Sequence, residues 1–74
     1  MKNVVYELTE PVTRIFEEMA VLCYGIRCLE NGRVTQSYDD VLPDRKAVKR
    51  LVDLCNLYDA APEHLLDIIM NYIP

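Results

Sequence analysis

One stretch decides the fold of this chain: DRKAVKRLVDLCNLYDAAPEHLLDIIMNYI, residues 44–73. In its first half, apolar residues recur at the three- and four-residue spacing of one helical face, after Asp44, a residue type that caps helix N-termini. In its second half, Pro62 suits the first position of a helix, because its missing N–H has no intrahelical partner there. The stretch therefore predicts two helices, about residues 44–58 and 62–73, joined by a tight turn. The apolar row of the first predicted helix is Val48, Leu51, Val52, Cys55 and Tyr58.

The second predicted helix is apolar around most of its circumference. Only Glu63, His64, Asp67 and Asn71 are polar, so its apolar stripe is wider than one neighbouring helix covers. The apolar fraction of the whole chain, 51%, lies at the upper edge of the usual range of about 45–50%, and so small a chain has little interior. We therefore expect an apolar surface that serves a second copy, as a homodimer, or another protein. The candidate interface is Leu66, Ile69 and Ile73, and Leu22, Tyr24, Ile26 and Cys28 add to the apolar excess.

Length, charge and cysteine content narrow the class of protein. Seventy-four residues predict one small domain, residues 1–74. The net charge of −4 weighs against phosphate-rich partners. No apolar run approaches the roughly 20 residues of a membrane span, and the N-terminus lacks a signal-peptide pattern. The chain has three cysteines, and an odd number disfavours a disulfide scaffold. Together these features predict a cytoplasmic protein.

The N-terminal half allows two interpretations. Residues 3–8 alternate as in a strand. From Thr9 onward, apolar residues keep helical spacing, with Pro11 in a first turn and Gly25 as a stop, which predicts a helix near residues 10–23. The alternative is the end of a first strand, a turn near Glu17 and Glu18, and a second strand from Met19 to Glu30. Periodicity alone does not separate the two for short apolar runs.

The clearest local signal is Asn31-Gly32, the preferred pair for a two-residue type I′ turn. This turn predicts a hairpin whose second strand runs from Arg33 to about Tyr38. The regular pairs would be Glu30 with Arg33, Leu29 with Val34, Cys28 with Thr35, and Gly25 with Tyr38. Tyr38 would then cover the bare backbone of Gly25.

Six short segments carry a resemblance to a known family. They are Tyr24-Gly25-Ile26-Arg27, Asn31-Gly32, Tyr38-Asp39-Asp40, Asp44-Arg45-Lys46, residues 51–56, and Pro62-Glu63-His64-Leu65 followed by Asp67. Together they resemble a family of small bacterial proteins of unknown function. The resemblance covers about residues 20–72 and implies a short three-stranded antiparallel sheet followed by two helices, with a strand before the Asn-Gly turn. It implies no activity. The chain departs from the family pattern at residues 16–18, where Phe-Glu-Glu stands in place of a clearly polar turn.

A basic cluster at the start of the first helix is the candidate site for nucleic acid. It consists of Arg45, Lys46, Lys49 and Arg50, half of all Lys and Arg in the chain. In a helix-turn-helix, the second helix would read the bases. That helix carries no Lys or Arg, and only Asn71 suits base contacts. We therefore interpret the cluster as a solvated helix face, with Lys49 and Asp53 paired four residues apart.

Catalytic and metal sites lack a supporting pattern. His64 has Glu63 and Asp67 nearby, but no nucleophile or second base is assigned to it. The cysteines lack the Cys-x-x-Cys spacing of zinc sites, and Cys23 and Cys28 would lie on opposite faces of a strand. We expect no cofactor, no metal and no small-molecule ligand.

These observations predict an α+β fold with a short two- or three-stranded antiparallel sheet and a C-terminal helical hairpin. A helix near residues 10–23 is the alternative to the first β-hairpin. The expected function is a non-catalytic interaction or regulatory module that self-associates through exposed strand edges or apolar docking. The alternative function is nucleic-acid binding through the basic cluster, which would be sensitive to salt.

Overall fold

The computed structural model describes residues 3–74 and is an α+β fold, a four-stranded antiparallel sheet followed by two helices. The strands are β1 (Val4–Leu8), β2 (Val12–Phe16), β3 (Met19–Glu30) and β4 (Arg33–Leu42). The helices are α1 (Arg45–Leu57) and α2 (Leu65–Tyr72), and a 3₁₀ turn, Pro62–His64, precedes α2. Both C-terminal helices thus form where the sequence predicts them.

The long strand β3 is the centre of the sheet. β1 and β4 both pair with residues 26–30 of β3, so they lie on its opposite edges. β2 pairs with residues 19–23 of β3 through the turn at Glu17 and Glu18. Within residues 3–74, no strand pairs with the other edge of this first part of β3. The sheet is therefore three strands wide at one end and two strands wide at the other.

The predicted helix at residues 10–23 is wrong, and the interpretation with two strands and a turn is confirmed. Phe16 and Met19 are the closing pair of the turn, opposite each other on β2 and β3. A two-residue turn places apolar partners three positions apart in sequence, which is also the spacing of neighbours on a helix. Both central residues, Glu17 and Glu18, have positive φ, of 49° and 67°, which no helix contains.

The second hairpin forms at Asn31-Gly32 as predicted, but its register changes after two pairs. Glu30 pairs with Arg33 and Leu29 with Val34, whereas Cys28 pairs with Gln36 instead of Thr35. β4 thus has one residue more than β3 between these pairs. The alternation of apolar and polar residues in the sequence does not reveal this extra residue.

A second irregularity lies opposite Gly25. Tyr38 pairs with Ile26, so its predicted pairing with Gly25 is wrong. The backbone of β4 covers Gly25 instead. A Cβ on Gly25 would lie 1.8 Å from the carbonyl oxygen of Tyr38 and 2.7 Å from two backbone atoms of Asp39. Gly25 thus permits a close approach of two backbones that a side chain would prevent.

The helices cover one face of the sheet, the face that carries Tyr6, Ile26 and Cys28. Asp44 caps the N-terminus of α1, and its carboxylate accepts hydrogen bonds from the backbone N–H groups of Lys46 and Ala47 at 3.0 and 3.2 Å. The Tyr72 hydroxyl donates to the Ala47 carbonyl at 2.7 Å and joins the two helices. The buried core is Tyr6, Ile26, Cys28, Leu51, Val52, Cys55, Leu65 and Ile69.

The side chain of Asn56 covers the outer edge of β1. Its Nδ2 donates to the Tyr6 carbonyl at 2.9 Å, and its Oδ1 accepts from the Tyr6 N–H at 2.8 Å. The two bonds satisfy the backbone groups that a further strand would otherwise take. Where β1 ends, the Thr9 hydroxyl accepts from the Gly25 N–H at 3.0 Å, which continues the ladder toward β2.

Candidate protein-interaction surface

The helical layer is too short for the sheet. The twelve residues of β3 extend about 40 Å at 3.3 Å per residue, whereas the thirteen residues of α1 extend about 20 Å. The molecule is 45 Å long and 23 Å wide. The end of the sheet built from β2 and residues 19–23 of β3, which we term the projecting hairpin (residues 12–23), is therefore left without a helical layer.

The projecting hairpin carries large apolar side chains in solvent. Ile15 is 69% exposed, Phe16 57%, Met19 67% and Leu22 51%. A two-stranded hairpin is only marginally stable in water unless a third strand or another layer packs on it. Apolar residues grouped on so small an element are typical of a surface that contacts another protein.

The register assigns these side chains to two faces of the hairpin. Phe16 and Met19 face each other across the turn and share one face, since directly opposed residues point the same way. Ile15 and Leu22 lie on the other face, opposite Ala20 and Thr13. Leu22 is an even number of residues from Ile26 and Cys28 on the same strand, so this second face continues the face that α1 covers.

The turn of the hairpin is acidic and has an unusual backbone. Glu17 and Glu18 both adopt positive φ, a conformation that suits Asn-Gly and costs about 1–3 kcal/mol for each other residue. Both side chains are exposed. The turn at Asn31 and Gly32 in the same sheet has the residues expected for this conformation. Local preference therefore does not account for two glutamates in the first turn.

A second apolar surface lies between α1 and α2. This helical groove has a volume of about 220 Å³ and is lined by Leu51, Leu54, Cys55, Tyr58, Ala60, Ile68 and Tyr72. Leu54 is partly exposed at its rim, and Tyr58 is exposed, not buried as its place in the predicted apolar row implies. Tyr58 is the residue at which α1 ends, so the helical face no longer directs its side chain into the core.

The predicted interface does not form one exposed patch. Ile69 is only 3% exposed and belongs to the core, and Ile73 is half-buried against it. Leu66 is 50% exposed and lies on the outer surface of α2 with Met70. Leu65 and Ile69 of α2 belong to the core, whereas Leu66 and Met70 on its other side lie in solvent. Of the three residues, Leu66 alone is largely open to a partner.

The basic cluster is exposed on α1, as a solvated helix face requires. Arg45, Lys46, Lys49 and Arg50 all lie at the surface. The Lys49 ammonium pairs with the Asp53 carboxylate at 2.6 Å, the predicted pair four residues apart. α2 packs through Leu65 and Ile69, so its buried face is unavailable as a reading surface for DNA.

The titratable and soft side chains do not assemble a catalytic or metal site in the described part of the chain. His64 is exposed in the turn before α2. Cys23, Cys28 and Cys55 are buried free thiols. No group of three or more His, Cys, Asp or Glu within residues 3–74 is placed to hold a metal ion. Within the same residues, no helix is long and apolar enough to cross a membrane.

The buried polar groups near Cys28 and Cys55 serve the core. Burial raises the pKa of the Tyr6 hydroxyl well above its usual value, and the neighbouring Cys28 and Cys55 raise it further. Burial also raises the pKa of Cys55, and Cys28 adds to that shift. The Tyr6 hydroxyl donates to the Ala60 carbonyl at 2.5 Å. These groups therefore stay protonated at neutral pH, unlike an activated thiolate.

A shallow cleft beside Tyr6 offers no chemistry beyond this network. It has a volume of about 230 Å³ and lies between β1 and the end of α1. Tyr6 and Asn56, which line it, already bond each other and the Ala60 carbonyl. Among the described residues, every buried side-chain nitrogen and oxygen has a hydrogen-bond partner.

Salt bridges occupy the sheet face opposite the helices. Arg27 pairs with Glu7 and Glu10 at 3.2 Å each, and Arg14 pairs with Asp40 at 2.7 Å. The pKa of Glu10 is lowered, mainly by a hydrogen bond from its own backbone and also by the neighbouring Arg27. This face therefore carries the salt bridges, and it also carries the exposed apolar residues Val5 and Val34 beside Leu29.

Most of the exposed apolar residues of the hairpin are not predicted from the sequence. Leu22 belongs to the predicted apolar excess, whereas Ile15, Phe16 and Met19 lie in the segment for which the sequence leaves helix and strand open. The available signal was the pairing of apolar residues across Glu17 and Glu18. This pairing alone does not identify the exposed surface. The length of the helical layer is also needed, because it determines which part of the sheet the helices leave in solvent.

Fold and surfaces define a small α+β protein with an acidic, apolar hairpin at one end and a helical hairpin at the other. The chain belongs to a family of unknown function, DUF6514, whose model matches residues 1–74. The chain matches no curated protein and no solved structure.

Proposed function

We propose that this protein is a non-catalytic interaction module of the bacterial cytoplasm that self-associates, with the projecting hairpin as its contact element. The observation that carries the proposal is the exposure of Ile15, Phe16, Met19 and Leu22 on a part of the sheet that no helix covers. Three free, buried thiols agree with a reducing compartment.

Burial of the hairpin in a complex would remove its main energetic defect. Each large apolar side chain that leaves water contributes roughly 1.5–3 kcal/mol. A third layer or strand would also stabilise a two-stranded element that is marginal alone. The outer edge of β1 has Asn56 as a cover, whereas no strand or helix covers the hairpin within residues 3–74. Association through the hairpin should therefore release more free energy than association through the edge of β1.

The test is the mass of the chain in solution, measured by light scattering after size exclusion over a concentration series. We expect the mass to rise from 8.6 kDa toward twice that value. The double variant Ile15→Thr, Leu22→Thr keeps the strands but removes apolar area from the face that continues the helix-covered face, and it should stay at 8.6 kDa. The matched control is Val34→Thr, because Val34 is also a strand residue and is 54% exposed.

Two outcomes contradict the proposal. A wild-type chain that stays at 8.6 kDa over the whole series does not self-associate. Self-association that the hairpin variant leaves unchanged uses another surface. Absorbance at 260 nm recorded on the same peak tests the basic cluster, since co-purified nucleic acid that high salt removes would favour the alternative function.

A further inference from the structure

The projecting hairpin and the helical groove are both apolar, and the charges beside them are opposite in sign. The hairpin presents apolar side chains behind an acidic tip, Glu17 and Glu18. The groove is apolar, and a basic rim adjoins it on α1. Arg50 stands one helical turn before Leu54, which lines the groove, and Lys46 stands one turn before Arg50.

The bond between the two helices fixes the position of this basic rim. The Tyr72 hydroxyl donates to the Ala47 carbonyl, so the end of α2 lies beside the first turn of α1. Tyr72 also lines the groove. Lys46 and Arg50 therefore stand near the end of the groove where the helices meet. The ion pairs within residues 3–74 involve neither these two cations nor Glu17 and Glu18.

We infer that the partner of the hairpin is the helical groove of a second copy of this chain. The inference rests on the proposed function and names its receiving surface. The hairpin face with Ile15 and Leu22 continues the face that α1 covers within one chain. A second copy would supply the missing helical layer, with its Leu54 and Tyr58 on that face. Glu17 and Glu18 of one copy would then meet Lys46 and Arg50 of the other.

Reciprocal docking closes the assembly. When each hairpin enters the groove of the other copy, a two-fold axis relates two identical contacts and no surface is left to extend a filament. The charge pairs set the orientation of the hairpin, because a like-charge arrangement is disfavoured, and apolar burial supplies most of the affinity. One contact alone would be small for a stable complex, and the two-fold axis doubles it.

Charge reversal on either surface separates this arrangement from other modes of association. The tip variant is Glu17→Lys, Glu18→Lys, and the rim variant is Lys46→Glu, Arg50→Glu. Each variant alone places like charges at both contacts, so we expect its dimer dissociation constant to rise about tenfold or more. An equimolar mixture restores opposite charges at both contacts. It should form a 1:1 complex with an affinity near that of the wild type.

The readout combines light-scattering mass with native mass spectrometry in which one variant carries nitrogen-15. Circular dichroism establishes that each variant is folded before it is mixed. The control variant, Glu63→Lys, Arg33→Glu, reverses one acid and one base outside both surfaces and should dimerise as the wild type does. A single chain with all four tip and rim reversals should also dimerise.

A second pair of variants tests the groove without charge. Leu54→Gln removes an apolar side chain that lines the groove, whereas Leu57→Gln removes one that is 68% exposed and lies outside the lining. We expect Leu54→Gln to weaken the dimer and Leu57→Gln to leave it intact.

The outcomes distinguish the inference from the proposed function. If the wild type dimerises but the mixed charge variants stay monomeric, the hairpin and the groove are not partners and the inference fails alone. The same conclusion holds if both charge variants dimerise as well as the wild type. If the wild type is monomeric, proposed self-association fails, and this inference fails with it.

Discussion

At the scale of single residues, the fold depends on a few positions where the surrounding backbone or a hydrogen bond allows only one type of side chain. Gly25 is such a position, because the backbone of β4 occupies the space of a Cβ. Tyr6 is another, since its backbone bonds Asn56 and its hydroxyl bonds the Ala60 carbonyl. Asp44 and the Asn31-Gly32 turn act locally, and the sequence predicted both correctly.

The substitution Gly25→Ala should be severely destabilising. Its Cβ would overlap the Tyr38 carbonyl, so strands β3 and β4 must separate, and overpacking of this kind costs about 1–3 kcal/mol or more. The comparison is Gly32→Ala, where nothing lies within 4 Å of the new Cβ and only the positive φ of 81° is strained. Urea unfolding of both variants should give the larger loss for Gly25→Ala. A smaller loss there than at Gly32 would contradict the close approach.

The buried hydroxyl of Tyr6 and the thiol of Cys55 should make the protein sensitive to alkali. Both groups have a raised pKa in the folded chain. Above about pH 9, the unfolded chain therefore releases protons that the folded chain retains, and the free energy of unfolding falls as pH rises. Below that pH, both groups are protonated in either state and this contribution is constant.

The variant Tyr6→Phe isolates the hydroxyl. At neutral pH it should lose about 1 kcal/mol, because the Ala60 carbonyl loses its donor. Above about pH 10, its stability should fall less steeply than that of the wild type. Urea unfolding between pH 7 and 11 with a reductant measures both effects, and parallel curves for the two proteins would exclude the role assigned to Tyr6.

At the scale of elements, the two β-hairpins are built differently. The turn at Asn31 and Gly32 has the residues that positive φ favours, whereas the turn at Glu17 and Glu18 does not. Sequence reasoning therefore located the second hairpin and left the first one open. The helices α1 and α2 were the best predicted elements, because a cap, a proline and apolar spacing coincide at their boundaries.

Replacing the acidic turn by a favourable one should stabilise the isolated chain and weaken its dimer. Glu17→Asn, Glu18→Gly relieves two strained positions, and we expect a gain of about 1–2 kcal/mol in the free energy of unfolding. The same change removes both charges that we assign to the contact with Lys46 and Arg50. Thermal unfolding at a concentration where the chain is monomeric measures the first effect, and light-scattering mass measures the second. A stabilised variant that dimerises more tightly would show that the glutamates do not serve the contact.

At the scale of the whole molecule, the mismatch between sheet and helices is the main feature. A strand adds more than twice as much length per residue as a helix. Twelve residues of β3 therefore extend past the thirteen of α1, and the last part of the sheet lies in solvent with its apolar residues. The proposed dimer removes this mismatch, because each copy would supply helices where the other has none. The mixture of the two charge variants tests this dimer directly.

Elements that depend on neighbours along the chain were predictable from the amino-acid sequence. These are α1 with its cap at Asp44, α2 after Pro62, and the Asn31-Gly32 turn, because caps, turn residues and apolar spacing act over a few positions. Tertiary structure alone decided which sheet face the helices cover, that Ile69 is buried while Leu66 is exposed, and that the backbone of β4 meets Gly25. It also decided which apolar residues remain in solvent. Those outcomes depend on the lengths and positions of elements distant in sequence, and no local pattern records them.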